Sequence, residues 1–180
     1  MGVFKMNERQ ALKRQRTIEK ILQAAKELIQ ENGFNRLSLR AVASRSGFSP
    51  ASLYEYFNGK DDIIDTLCEQ IDAVWTAKLS TASSLQELTK GYIEFGLTAS
   101  DDFQLLYQRA MLPTQEEGIP KLFLHHAEVL RERLTAEPDV LAEAMWSLGH
   151  GLVLLSLHRE VEQDTHDVMI ESMLSGFLKA

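Results

Sequence analysis

Apolar residues recur three and four positions apart along almost the whole chain, and no stretch sustains the alternation of a half-buried strand. The expected fold class is therefore all-α, with about nine helices. Ile18, Ile21, Leu22, Ala25, Leu28 and Ile29 make one stripe that Gly33 ends, which predicts a first helix over about 17–32. Ser38 is placed to cap a second, short helix over about 39–45, with Leu39, Val42 and Ala43 inward and Gly47 at its stop. Ser49 caps a third with Pro50 at its first position, carrying Leu53, Tyr54, Tyr56 and Phe57 until Asn58-Gly59. Lys60-Asp61-Asp62 opens a fourth, running to about 79, whose two aspartates suit the positive helix end. Ser84 and Glu87 form a capping box for a helix over about 85–99, and Ser100 starts another that ends near Pro113. A loop is expected over 113–119, then helices over about 120–136, 138–159 and 165–178.

Charge divides this helical chain unevenly. Residues 1–60 hold 11 Lys and Arg against 5 Glu, a balance of +6, while the overall charge of −7 leaves −13 for residues 61–180. That split reads as a basic module for a polyanion on an acidic body with another task, so the expected domains are 1–60 and 61–180. At 180 residues and 44% hydrophobic composition the chain reads as globular. No apolar run reaches the roughly 18–20 residues that span a bilayer, so no membrane partner is expected. The first residues show no secretory pattern, and Met6 stands where a myristoylation site needs Ser or Thr. The single Cys68 fits a reducing cytoplasm and reads as a small buried residue.

The segment from Ser38 to Phe57 is a short helix, a turn containing Gly47 and a second short helix, the pattern of a helix-turn-helix whose second helix fits a major groove. Pro50, Ala51 and Ser52, following the cap Ser49, are small enough to let backbone approach base edges, and the helix dipole there favours phosphate. Tyr54, Tyr56 and Lys60 offer donors to phosphate oxygens, and Arg40 has the fork geometry for a guanine edge. Lys13, Arg14, Arg16 and Lys20 are expected to form an arm along the backbone or into the minor groove. The alternative is a packing-only hairpin in an all-helical protein-interaction adaptor.

Residues 17–67 resemble the N-terminal domain of TetR-family transcriptional regulators. The likeness rests on Ile21-Leu22-Ala24-Ala25, Leu28, Gly33-Phe34, Ser38-Leu39-Arg40, Val42-Ala43 and Gly47-Phe48-Ser49, and above all on Leu53-Tyr54-Glu55-Tyr56-Phe57-Asn58-Gly59-Lys60-Asp61-Asp62-Ile63-Ile64. It implies a three-helix DNA-binding domain followed by a helical ligand-binding and dimerisation domain. It also implies a ligand-responsive repressor that binds a palindromic double-stranded operator as a homodimer, with a small-molecule effector. By the same likeness Arg40, Pro50, Ala51, Ser52 and Tyr54 fall where bases are usually met, and Ser38, Tyr54, Tyr56 and Lys60 where phosphates are. Gly59 departs from the Ser or Asn more usual before Lys60, and Pro50 replaces a side chain that often reads a base. Trp146-Ser147-Leu148-Gly149-His150-Gly151 resembles the Trp…His-Gly pattern of one C-terminal subfamily.

The last two helices are too apolar for a monomer surface, and in TetR-like proteins such helices are expected to form a four-helix bundle. Leu148, Leu152, Leu155, Met169, Met173 and Phe177 are the candidate interface. Trp75, Phe95, Tyr107 and Met111, edged by His126, Trp146 and His150, are candidates to line an effector pocket, with core packing as their alternative use. No two histidines stand three or four apart, so no metal is expected. With no nucleophile elbow and no phosphate-cradling loop, neither catalysis nor a cofactor is expected.

Overall fold

The structure is a computed structural model that describes residues 2–110, 119–159 and 161–179, at the backbone alone for 2–7, 34, 108–110 and 163. Its described residues form nine α-helices: α1 (Gly2–Asn32), α2 (Leu39–Ser46), α3 (Pro50–Leu53), α4 (Lys60–Leu79), α5 (Leu85–Thr98), α6 (Ser100–Ala110), α7 (Ile119–Val129), α8 (Pro138–His158) and α9 (Gln163–Phe177). Two single 3-10 turns, Phe34–Arg36 and Arg131–Arg133, sit between them. There is no strand among the described residues, only one isolated antiparallel bridge, Leu134 to Leu178. The chain divides into two compact units, Met1–Glu69 and Gln70–Ala180, so the division falls inside α4.

In the first unit Ile21, Leu22, Ala25 and Ile29 of α1 close on Leu37, Val42, Ala43, Leu53, Phe57 and Ile63, all buried. Full burial of each large apolar side chain contributes about 1.5–3 kcal/mol, which is what holds helices as short as α2 and α3. In the second unit α8 packs on α5 and α7, and Phe95, Phe103, Phe123, Leu88, Leu141, Met145, Leu152 and Ile170 fill the centre.

Three boundaries differ from the sequence expectation. The first helix begins at Gly2, not near 17, because Glu8 through Arg16 are good helix formers without a breaker, although the apolar stripe has ended. The third stops at Leu53; the chain then turns, with the Tyr56 and Phe57 amides both on the Leu53 carbonyl at 2.9 Å. The helix expected to reach 136 stops at Val129. Arg131 there pairs with Glu128 (2.7 Å) and Glu137 (3.0 Å), and the chain runs extended from Leu134 to bridge Leu178. The end expected near Pro113, and the loop up to residue 118, lie outside the described residues.

Gly96 marks the tightest approach of α5 to α8: a β-carbon there would collide with the branched carbon and both methyls of Val153. A β-carbon at Gly151 would meet nothing within 4 Å. Gly96→Ala should therefore lower stability by about 1–3 kcal/mol through overpacking, against a helix-propensity gain of about 1 kcal/mol. Gly151→Ala should show the gain alone, and chemical-denaturation midpoints of the two variants measure the contrast.

Candidate nucleic-acid interface

Local signals build the helix-turn-helix. Ser38, extended at φ −140° and ψ 149°, accepts the Ala41 amide on its Oγ at 3.2 Å and starts α2. Gly47 ends α2 in the left-handed conformation, φ 76° and ψ 26°, with its amide on the Ala43 carbonyl. Ser49 then accepts the Ser52 amide at 3.1 Å, and the two hydroxyls bond each other at 2.8 Å, leaving one hydroxyl proton for an outside acceptor.

Leu53 anchors α3 in the core and leaves its other face outward. Ser49, Pro50 and Ala51 are exposed, Ser52 is half-buried, and Tyr54 is 61% exposed. Tyr56 is half-buried beneath the Arg14 guanidinium, 4.8 Å from the ring centroid, and Arg14 Nη1 donates to the Glu55 carbonyl at 3.2 Å. Arg14, expected in an arm along the DNA backbone or into the minor groove, holds the turn after α3 against α1. Ser38, Arg16, Arg40 and Lys60 are exposed, on the α2 cap, α1, α2 and the first position of α4. The start of α4 is secured from within: Asp62 Oδ2 accepts the Asn58 amide at 2.7 Å and its side-chain amide at 2.9 Å.

The periodic pattern gave no sign of the tie between α1 and α2. Arg45 is bidentate on Glu31 at 2.7 and 2.9 Å and reaches Glu27 at 3.4 Å. The hydrogen bond to Arg45 holds the Glu31 carboxyl below the usual glutamate range, and the same bond raises the Arg45 guanidinium. Because the Glu31 value is depressed, this tie is complete above the ordinary glutamate range and is lost as pH falls through the lowered one.

Of the candidate pocket residues, Trp75, Phe95, Tyr107, Trp146 and His150 lie in the second unit within one aromatic cluster. Trp75 stacks on Phe95 at 3.9 Å, and Tyr92 meets Phe95, Phe103 and Phe123 edge-on at 5.8–6.4 Å. His150 joins Tyr107 at 4.7 Å, Phe103 at 4.9 Å and Trp146 at 6.2 Å, and its Nδ1 bonds the Tyr92 hydroxyl at 2.8 Å. Burial pushes the Tyr92 phenol up and the His150 imidazole down. His126 stands apart, ring to ring with His125 at 5.6 Å, its own value lowered by burial and by His125 and raised by Glu87. Met111 lies outside the described residues. A separate groove of about 590 Å³ between the end of α4 and α5, lined by Leu79, Gly91 and Leu97 with Lys78, Glu87 and Lys90, includes none of these candidates.

Of the candidate interface residues on α8 and α9, Leu155 and Met169 are exposed, and Leu148, Met173 and Phe177 half-buried. Leu152, at 2% exposure, faces its own core, and Val140 and Val168 add exposed apolar surface that the sequence pattern did not single out. Among the described residues no group of three or more His, Cys, Asp or Glu could hold a metal. No described helix is long and apolar enough to cross a membrane.

Residues 21–67 match the family model described as bacterial regulatory proteins, tetR family. Over 56 residues the chain is 38% identical to the HTH-type transcriptional regulator UidR of Escherichia coli K12; the match covers 31% of this chain and 29% of that relative's length. The fold resembles NalD of Pseudomonas aeruginosa, a secondary repressor of the MexAB-OprM multidrug efflux pump (TM-score 0.68, 22% identity, 92% of this chain and 98% of NalD). It also resembles SmeT in complex with triclosan (TM-score 0.64, 15% identity, 91% and 92% covered); SmeT is the repressor of the SmeDEF multidrug efflux pump of Stenotrophomonas maltophilia. Residues 21–67 of the first unit thus match a helix-turn-helix of the tetR type, and the fold is similar to these regulators over the 91–92% of the chain that they cover.

Proposed function

We propose that the protein is a cytoplasmic, ligand-responsive transcriptional repressor of the tetR type that binds a palindromic operator as a homodimer. The observation that carries this is the outward surface from Ser49 to Tyr56, small and hydroxyl-bearing, fixed from behind by Leu53 and from the side by Arg14. Arg40, Pro50, Ala51, Ser52 and Tyr54 are assigned to bases, and Arg16, Ser38, Ser49, Tyr56 and Lys60 to phosphates. Exposed Leu155 and Met169, with Val140 and Val168, give α8 and α9 an apolar face that favours a second copy. A two-fold pair would set its reading heads about 34 Å apart, one DNA turn.

Effector binding is assigned to the second unit, where His150 and Trp146 set polar atoms among aromatic rings, in the Trp-His-Gly arrangement. A small aromatic effector would bind the two states of the dimer unequally and shift the population away from the operator; the similar SmeT has been seen in complex with a small molecule, triclosan. The role is binding, not catalysis.

A mobility shift on sheared genomic DNA tests the reading. Wild type is expected to retard a subset of fragments. Lys60→Ala is expected to weaken binding to all of them and to flatten the log–log salt dependence by about 0.9. No retarded fragment at moderate salt would support the protein-interaction adaptor instead.

A further inference from the structure

We infer that the amino-terminal half of α1 is a second DNA-contacting element, a straight helical arm lying along the sugar-phosphate backbone beside the base-reading surface. This rests on the reading that the first unit binds DNA, and it says how far along the duplex the contact extends.

The side chains of residues 8–16 are all exposed, although the backbone is one continuous helix. At about 100° per residue, Arg9, Lys13, Arg16 and Lys20 fall within an arc of about 60°, at steps of about 6, 4.5 and 6 Å along the axis. Glu8 and Glu19 lie about 90–110° round from the centre of that arc, the buried Ile21 about 110° on the other side, and the buried Leu22, Ala25 and Ile29 about 150–170° from it. The side chains of Arg9, Lys13 and Arg16 form no ion pair with any described residue. At its inner end the stripe meets the helix-turn-helix: Lys20 Nζ stands 5.4 Å over the ring of Phe48, in the turn before α3.

Helix stability does not account for this charge order. The first turn of α1 holds no acid and the last turn no base, with cations gathered toward the start and Glu27 and Glu31 toward the end. Arg9, Lys13 and Arg16 lie beyond the first turn, where the helix dipole acts, so nothing in the helix itself rewards their placement on one face. A polyanion alongside the stripe supplies the opposite charge that these side chains do not find among the described residues. The helical form also decides where the arm lies. A helix about 10–12 Å across does not enter a minor groove about 6 Å wide, so its contacts fall on phosphates, not on groove edges.

The test uses a duplex selected by the full-length wild-type protein from sheared genomic DNA, trimmed to its protected core or kept with roughly ten base pairs of flank per side, about one helical turn. On the long duplex Arg9→Gln/Lys13→Gln/Arg16→Gln should lower the log–log salt slope by about 2.7, near 0.9 per phosphate contact. It should also lose hydroxyl-radical protection in the flanks while keeping the core footprint, and should change little on the trimmed duplex. Ala11→Pro, which keeps every charge but breaks the rod before Lys13, should lose the outermost flank protection, that due to Arg9. An unchanged slope and footprint in the triple variant, an equal fall on both duplexes, or intact outermost flank protection in Ala11→Pro would each overturn the arm while leaving the DNA reading standing. If the substitutions reduced salt-sensitive self-association instead, the acidic unit of a second copy would be the occupant, and the arm assignment would fall. A wild type that selects no duplex would bring down the parent reading, and the arm with it.

Discussion

Leu53→Ala is expected to remove about 2–5 kcal/mol of stability and, with it, retention of DNA fragments. Leu53 is fully buried and is the side chain through which the four-residue α3 is held. The helix is one turn long and has no stability of its own, so its orientation depends on that contact. Loss of binding after such a change has two sources, fewer folded molecules and a reading surface turned out of place. Tyr54→Ala separates them. Tyr54 is the next residue along, largely exposed, and its truncation should leave the unfolding midpoint within about 0.5 kcal/mol of wild type. Binding by Tyr54→Ala should nevertheless fall strongly, since the exposed phenol belongs to the surface proposed to meet the duplex. Urea titration together with mobility shifts reads both quantities. A Tyr54→Ala protein that binds as wild type would remove the reading surface assigned here.

Phe95→Ala should lower the stability of the second unit by about 3–5 kcal/mol, a large share of the roughly 5–15 kcal/mol that holds a domain. The ring is 1% exposed, stacked on Trp75 and edge-on to Tyr92 and Phe103 at 6.4 and 5.9 Å. Each such pair adds about 0.5–1.5 kcal/mol beyond the buried area. Gly96, the next residue, lies against Val153 and leaves α5 little freedom to collapse into the space. A fall in the urea midpoint at unchanged slope is the expected record. A loss under about 1 kcal/mol would mean that neighbouring rings close the cavity.

Features set by adjacent residues were legible in the sequence. The caps at Ser38, Ser49 and Ser84 and the stop at Gly47 each need only the next three or four residues, and each stands where the pattern put it. Features set across the chain were not. The end of α7 depends on Arg131 finding Glu137, and on Leu134 meeting Leu178 forty-four positions away. The length of α3 depends on where Leu53 and Phe57 find the core, which local helix propensity does not encode. The clamp of Arg14 on Tyr56 spans forty-two positions and shows in no periodic window. Leu152 looked outward because α8 is apolar on most sides, and periodicity cannot choose between two apolar faces.

The bridge between Leu134 and Leu178 also supplies a clock for the second unit. The Thr135 amide bonds the Phe177 carbonyl and the Lys179 amide bonds the Arg133 carbonyl, each at 2.8 Å. Neither bond lies inside a helix, so fraying of one helix does not break it. In deuterated solvent, isotope uptake at these two backbone sites would time the parting of the α9 terminus from the corner between α7 and α8, apart from the breathing of either helix.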